Sequence, residues 1–132
     1  MSSNLATVQE MYACFGQGDI PGVLAKFSDD VSLFNTADTS IVPFAGKYKG
    51  KEGAIQYFTK LGSMTQTTKF EPSNFSEEGN KVTNEVIHDG IILSTNKPFH
   101  TAMTFHWVFN DKGEAMDWKA TGDFSGLYSA FS

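Results

Sequence analysis

The segment Ser28–Asn35 carries two adjacent carboxylates, Asp29 and Asp30, followed by a polar side chain at Asn35. Carboxylates can take up and release protons, which is the chemistry of general acid–base catalysis. Period-two alternation begins after the aspartates and places Asn35 on the same strand face as the apolar Leu33. Because the two aspartates follow an apolar helical pattern, we expect them to end a helix. We expect Asn35 to face the interior.

His88 is the first candidate for a proton-transferring side chain, because the ordinary pKa of histidine lies close to neutral pH. It shares strand parity with Asn84 and Val86, whereas its neighbour Asp89 points to the opposite face. If the even-numbered positions face inward, His88 enters the interior. The alternative is a strand irregularity over residues 88–90 in which both polar groups are solvated.

Composition excludes several other kinds of site. The net charge is −5, and all 10 basic residues are lysines. A nucleic-acid-binding stripe is therefore not expected, and arginine clamping of phosphate or carboxylate is impossible. Cys14 is the single cysteine, so no internal disulfide can form. His100 and His106 are predicted on the outer sheet face, and no metal-ligand spacing is present. We expect no metal and no cofactor.

No apolar run reaches the length of a membrane span, and the first residues lack the pattern of a signal peptide. We therefore expect no membrane partner and a cytoplasmic location. Aromatic residues make up 14% of the chain, with 12 phenylalanines. Rings in this number indicate an aromatic core or a cavity lined with rings.

Hydrophobic periodicity predicts helices first and strands afterwards. The chain is long enough for one domain, residues 1–132. Its order α-α-β-α-β-β-β-β indicates an α+β fold with helices on one face of a curved, mostly antiparallel sheet. The predicted helices cover residues 3–16, a short segment after the Asp19 cap, and residues 51–64. The apolar stripe of the third helix is Ala54, Ile55, Phe58 and Leu61. Residues 37–50 are predicted to form a loop, and the predicted strands cover residues 31–36, 69–75, 80–95, 100–109 and 115–124.

Three segments carry a resemblance to a known family. They are YACFGQGDIPGVLAKFSDDV, then PFAGKYKGKEGAIQYF, and finally HWVFNDKGEAMDWKATGDF. In this order they resemble the SnoaL-like branch of the nuclear transport factor 2-like, or ketosteroid-isomerase-like, superfamily. The resemblance implies a cone-shaped barrel in which three N-terminal helices pack on a strongly curved mixed sheet. It leaves activity open, because this fold hosts enzymes, binding proteins and interaction modules.

The resemblance implies three site layouts. Ketosteroid isomerases hold a general-base aspartate at the position of Asn35, and an amide cannot take that proton. Their oxyanion-binding phenol falls on Met11, with Tyr12 one residue away. Limonene-epoxide-hydrolase-like members need an arginine, which this chain lacks, and an acid at the position of Ala120.

SnoaL-like polyketide cyclases use an aspartate near the end of the sheet, and Asp123 is the nearest match. Simple alternation places Asp123 opposite Trp118, away from the interior. A bulge at Gly122 would turn it inward. His88 and Asp123 are therefore the candidate catalytic residues.

Three functions stay open from the sequence. The first is binding of a small apolar or cyclic molecule in a ring-lined cone. The second is a cofactor-independent cyclase or isomerase that enolises a carbonyl substrate. The third is a homodimeric interaction module that uses the outer sheet face. The predicted pocket residues are Tyr12, Phe15, Leu33, Asn35, Tyr48, Tyr57, Phe58, His88, Met103, Phe105, Trp107 and Trp118.

Overall fold

The computed structural model describes residues 3–132, and the helices and strands in this range follow the α+β order. The elements are α1 (Asn4–Gly16), α2 (Ile20–Leu24), β1 (Phe27–Asn35), β2 (Gly46–Lys49), α3 (Gly50–Met64), β3 (Thr65–Glu78), β4 (Lys81–Ile92), β5 (Lys97–Phe109), β6 (Ala115–Asp123) and α4 (Ser125–Phe131). Within these residues, no helix is both long and apolar enough to cross a membrane.

Side-chain caps begin the first two helices. The Ser3 hydroxyl accepts a hydrogen bond from the Ala6 backbone N–H, and the Asp19 carboxylate accepts one from Gly22. Each cap satisfies a backbone donor that the first helical turn leaves unpaired. A serine at the helix start is a favourable cap, and the sequence offers Ser2 as well as Ser3; Ser2 lies outside the described residues. The Asp19 cap also fixes the tight connection from α1 to α2.

One six-stranded mixed sheet carries the interior residues. Its order is β2-β1-β6-β5-β4-β3, with β1 and β6 parallel and all other neighbours antiparallel. Edge strand β3 contains Pro72, as expected for a residue that cannot donate to a ladder. Helix α3 packs on β1, α1 contacts β3 and β4, and α4 packs on β5. The predicted fold class is confirmed.

Two short elements escaped the sequence prediction. Strand β2 lies within the predicted loop, where it pairs with the end of β1. Helix α4 follows the last strand and buries Leu127 and Ala130. Both elements are too short for periodicity to distinguish them from loops, and tertiary contacts stabilise them.

Two local predictions were wrong. Helix α2 already ends at Leu24, so Asp29 and Asp30 do not end it. They lie exposed inside β1, where the pairing with β6 shifts register between Phe27 and Ser32. On α3, Ile55 is 48% exposed, and Tyr57 takes the interior position instead. Both positions fit the helical periodicity of the apolar residues. The side of α3 that packs on the sheet therefore determines that Tyr57 is buried and Ile55 is exposed.

Two glycine-to-alanine substitutions test how closely α4 packs against the backbone of β5. A Cβ at Gly126 would lie 2.5 Å from the His100 carbonyl oxygen, whereas one at Gly62 on α3 would meet nothing within 4 Å. We expect Gly126→Ala to lower the free energy of unfolding by about 1–3 kcal/mol, because backbone must move. Gly62→Ala should raise it by about 0.5–1 kcal/mol. Urea unfolding measures both free-energy changes. Equal changes in the two variants would contradict the close packing of α4 against β5.

Candidate functional site

A cavity of about 80 Å³ lies between the inner face of the sheet and helices α1 and α3. Its wall is almost wholly apolar and dominated by aromatic rings. Side chains from β1, β4, β5, β6 and both helices meet there because alternate strand residues point to the concave face. The predicted pocket residues that line it are Tyr12, Phe15, Leu33, Asn35, Tyr57, Phe58, His88, Met103, Phe105, Trp107 and Trp118. That they contact a ligand stays a prediction.

Asn35 and Tyr57 form one polar group of the wall. The Asn35 Nδ2 donates to the Tyr57 hydroxyl at 3.2 Å, and Asn35 Oδ1 accepts from the Ala37 backbone N–H at 3.0 Å. Burial raises the pKa of Tyr57 to about 12, so the phenol stays neutral. Among residues 3–132, this hydroxyl makes no other hydrogen bond, which leaves its own proton available to donate.

Tyr12, Asn84 and Trp107 form a second polar group, which is fully hydrogen-bonded; Asn84 Nδ2 also donates to the Glu85 carbonyl at 3.1 Å. The Asn84 side chain contacts the Tyr12 hydroxyl at 2.8 and 3.0 Å, and its Oδ1 also accepts from Trp107 Nε1 at 3.0 Å. Asn84 is only 1% exposed. Burial also raises the pKa of Tyr12. The Tyr12 hydroxyl is therefore held by the sheet and is not free to bind an oxyanion.

His88 lies in the cavity wall between the rings of Phe70 and Phe99, at centroid distances of 5.3 and 5.1 Å. Its Nε2 lies 2.9 Å from the Thr67 hydroxyl. Burial lowers the pKa of His88 to about 4, although the neighbouring Asp89 carboxylate favours the charged form. The imidazole is consequently neutral at pH 7 and only weakly basic.

Two buried polar atoms in the described part of the chain have no hydrogen-bond partner: Thr101 Oγ1 and Trp118 Nε1. Both residues line the cavity. Thr101 pairs directly with His88 across β4 and β5, so the two side chains stand next to each other on the concave face. Buried polar groups are almost always paired in native proteins, which makes these two exceptions informative.

Asp123 lies outside the cavity. It is exposed, and its Oδ1 accepts from the Ser125 backbone N–H at 3.0 Å; hydrogen bonding from Ser125 lowers its pKa. The proposed bulge at Gly122 is wrong, because the pairing of Ala102 and Met103 with β6 continues unbroken there. Strand alternation therefore turns Asp123 outward.

The one bulge between β5 and β6 lies at the other end of the pair, where register shifts between Val108 and Phe109. It turns Met116 outward, and this side chain is 42% exposed. Period-two alternation counted from Trp118 predicts Met116 on the inner face, and the bulge makes this prediction wrong.

Tyr48 also lies away from the cavity. Its hydroxyl donates to the Phe44 carbonyl at 3.0 Å, and its ring packs against Tyr57 at 5.2 Å. On the outer sheet face, His106 Nε2 lies 3.0 Å from Thr121 Oγ1, as strand parity predicted. Whether this face binds a second copy stays a prediction. In the described range, no cluster of three or more His, Cys, Asp or Glu side chains could hold a metal ion.

Several cavity residues were not predicted from the sequence. Thr101 is one of them. It shares inward parity with Met103 on β5, and this alternation could have identified it from the sequence. The other unpredicted cavity residues lie on elements for which the sequence does not determine which side faces the interior, or on helix α4, which was not predicted. These additional lining residues are Met11, Val23, Phe27, Phe44, Leu61, Phe70, Phe99, Phe124 and Leu127.

Comparison with known proteins shows the family. Residues 8–118 match the model of the SnoaL-like domain. This chain belongs to the SnoaL-like domain family. No curated protein matches the sequence.

Solved structures share the fold of this SnoaL-like domain. An NTF2-like protein of unknown function from Burkholderia pseudomallei is 22% identical, with a TM-score of 0.88 over 100% of this chain and 99% of that chain. TerC, co-crystallised with polyporic acid, is 19% identical, with a TM-score of 0.86 over 98% of each chain. A protein with a ketosteroid-isomerase-like fold from Catenulispora acidiphila, in complex with trimethylamine, is 15% identical, with a TM-score of 0.77 over 93% and 89%. These likenesses show the fold alone.

The buried His88 of the SnoaL-like domain predicts a loss of stability in acid. Its folded pKa of about 4 lies below the ordinary value of 6.5, so the unfolded chain binds the proton more tightly. Stability is therefore highest above pH 6.5 and falls as the pH drops toward 4, by about 3 kcal/mol from this group. Urea unfolding at pH 7 and pH 4 measures this. His88→Gln should show a smaller fall than wild type.

His100→Gln is the comparison for this pH prediction, because it removes an exposed imidazole and keeps the buried one. His100 Nδ1 lies 2.5 Å from Asp89 Oδ1, so the substitution also changes the surroundings of that carboxylate. It should retain most of the wild-type loss between pH 7 and pH 4. An equally steep loss in His88→Gln would show that the buried imidazole is not the cause.

The unpaired Thr101 hydroxyl predicts an unusual effect of Thr→Val substitution. Thr101→Val removes a buried polar atom without a partner, so the free energy of unfolding should rise by about 1 kcal/mol. Thr65 is equally buried, but its hydroxyl donates to the Leu61 carbonyl at 2.7 Å. Thr65→Val should therefore lower stability by about 1 kcal/mol. Urea denaturation compares the pair, and a loss at both positions would refute the assignment.

Proposed function

We propose that this SnoaL-like domain binds a small, mostly apolar molecule in the ring-lined cavity. The observation that carries the proposal is an interior wall that is apolar apart from a few polar groups, two of which lack partners. Ligand sites in proteins commonly combine apolar walls with a small number of polar atoms that fix orientation. Buried polar atoms are almost always paired in native proteins, so two unpaired atoms at this surface favour a ligand that pairs with them.

The size of the cavity limits the occupant. A cavity of about 80 Å³ is smaller than the roughly 150 Å³ site that holds benzene in another protein. A six-membered ring therefore requires the wall to move. Met11 and Met103 lie in the wall, and the flexible, unbranched methionine side chain adapts easily.

An open cleft between α1 and β3 supplies a route to the cavity. Tyr12, Phe15 and Phe70 line both the cleft and the cavity, so these rings separate the two spaces. The rings of Phe15 and Phe70 lie 5.0 Å apart. Rotation of these half-buried side chains would connect the cavity with solvent.

Enolisation of a carbonyl substrate is the second candidate, and the position of His88 in the wall favours it. A pKa of about 4 makes His88 a poor match for proton abstraction near neutral pH. Asp123 cannot assist, because it is exposed on the far side of the sheet. Binding without turnover therefore has the stronger support.

Methionine methyl signals in NMR test the binding proposal. Methylenecyclohexane is a suitable probe, since it is a compact apolar ring. We expect it to shift the methyl signals of Met11 and Met103 and to raise the thermal midpoint with concentration, because ligand binds the folded state. Met116 is exposed on β6 and is the internal control. Shifts equal at Met116, or none at Met11 and Met103 up to the solubility limit, would disprove binding in the cavity.

Met103→Ala and Met116→Ala are matched substitutions for the same experiment. Met103→Ala enlarges the cavity and should strengthen binding of the probe. Met116→Ala removes the same atoms from the surface and should leave the dissociation constant unchanged.

A further inference from the structure

Trp118 differs from the other tryptophan of the chain in one respect. Trp107 Nε1 donates to Asn84 Oδ1 at 3.0 Å, whereas Trp118 Nε1 has no partner within residues 3–132. Trp118 is only 5% exposed, so its indole N–H is shielded from bulk solvent. Leaving such a donor unpaired costs roughly 1–3 kcal/mol. The folded protein is therefore destabilised by the unpaired indole N–H of Trp118, and a ligand that accepts a hydrogen bond from this group would remove that penalty.

Within residues 3–132, no acceptor lies at hydrogen-bond distance from the Trp118 indole N–H. Its neighbours are rings: Phe105 at 4.9 Å, Tyr57 at 5.5 Å and Trp107 at 6.4 Å between centroids. Indole nitrogen is a donor only, so whatever satisfies it must be an acceptor. Tyr57 adds a second donor beside it, because its hydroxyl accepts from Asn35 and keeps its own proton free.

Charge decides which acceptors fit. The residues that line the cavity include no lysine, aspartate or glutamate, and the chain has no arginine. His88 also lines the cavity, but burial lowers its pKa to about 4, so it carries no charge at pH 7. A buried carboxylate or phosphate would therefore stay without a counter-charge, at a large cost. An uncharged oxygen or nitrogen acceptor has no such cost.

We propose that Trp118 is the specificity-determining donor of the cavity, and that it selects compounds carrying an uncharged hydrogen-bond acceptor over hydrocarbons of the same shape. Tyr57 lies beside it as a supporting donor. The inference rests on the proposed binding function and adds the chemistry that distinguishes one ligand from another. It assigns the unpaired indole a role in ligand recognition rather than in packing.

An isosteric pair of probes tests the inference. Cyclohexanone and methylenecyclohexane have nearly the same shape and differ in an oxygen against a CH₂ group. The chain contains 2 tryptophans, so an NMR spectrum of ¹⁵N-labelled protein shows two indole N–H signals. Cyclohexanone should move the Trp118 indole proton downfield, whereas methylenecyclohexane should not produce that downfield shift.

Substitutions test the same inference through the dissociation constants of the two probes. In Trp118→Phe the dissociation constant of cyclohexanone should rise roughly five- to tenfold relative to that of methylenecyclohexane, the effect of one lost hydrogen bond. Tyr57→Phe should change the ratio in the same direction. Trp107→Phe is the matched control: it also replaces a cavity tryptophan, but its N–H is already bonded to Asn84, so both probes should be affected equally.

The outcomes separate the two proposals. If both probes shift the Met11 and Met103 methyl signals while cyclohexanone leaves the Trp118 indole unmoved, and Trp118→Phe leaves the affinity ratio unchanged, the donor role is wrong and cavity binding stands. If neither probe shifts those methyl signals, the proposed binding function itself fails. The indole signal of the wild-type protein decides the question even where Trp118→Phe does not fold.

Discussion

The structure depends on keeping a cluster of aromatic rings on the concave sheet face away from water. Phe105, Trp107 and Trp118 project from β5 and β6 and contact one another at 4.9 to 6.4 Å between centroids. A curved sheet cannot bury its own concave face, so helices must cover it. Helix α1 brings Tyr12 against these rings, and α3 brings Tyr57. The same enclosure creates the cavity, because large rigid rings fill a cone incompletely.

Polar groups inside this apolar space fall into two kinds. Asn84 shows the structural kind: it joins Tyr12 of α1 to Trp107 of β5 and leaves no side-chain donor of that group unused. Trp118 and Thr101 show the other kind, because they are buried among the same rings without a partner. A fully paired network orients α1 on the sheet, whereas an unpaired donor keeps its hydrogen-bonding capacity for a ligand of the proposed kind.

Much of the fold was predictable because its elements are long and strongly periodic. The alternation along β5 placed Met103 and Phe105 on the inner face, and of the two alternatives left open for His88 on β4 the structure has the inward one. Prediction failed where periodicity is short or locally broken. Asp29 and Asp30 lie in an irregular part of β1, and Met116 occupies a bulge that reverses its face. On α3, Ile55 and Tyr57 both satisfy a helical pattern, and only packing against β1 shows that Tyr57 is inside.

The sequence by itself determined the family, the α+β order and the aromatic character of the interior. Residue identity and spacing are sufficient for each of these conclusions. The resemblance to ketosteroid isomerases added the expectation that Asn35 stands where those enzymes hold a base. Only the tertiary structure decided that Asp123 faces solvent, that His88 is buried and weakly basic, and that Trp118 Nε1 is unpaired. These properties depend on burial and on partners from other strands and helices, and one strand's pattern contains neither.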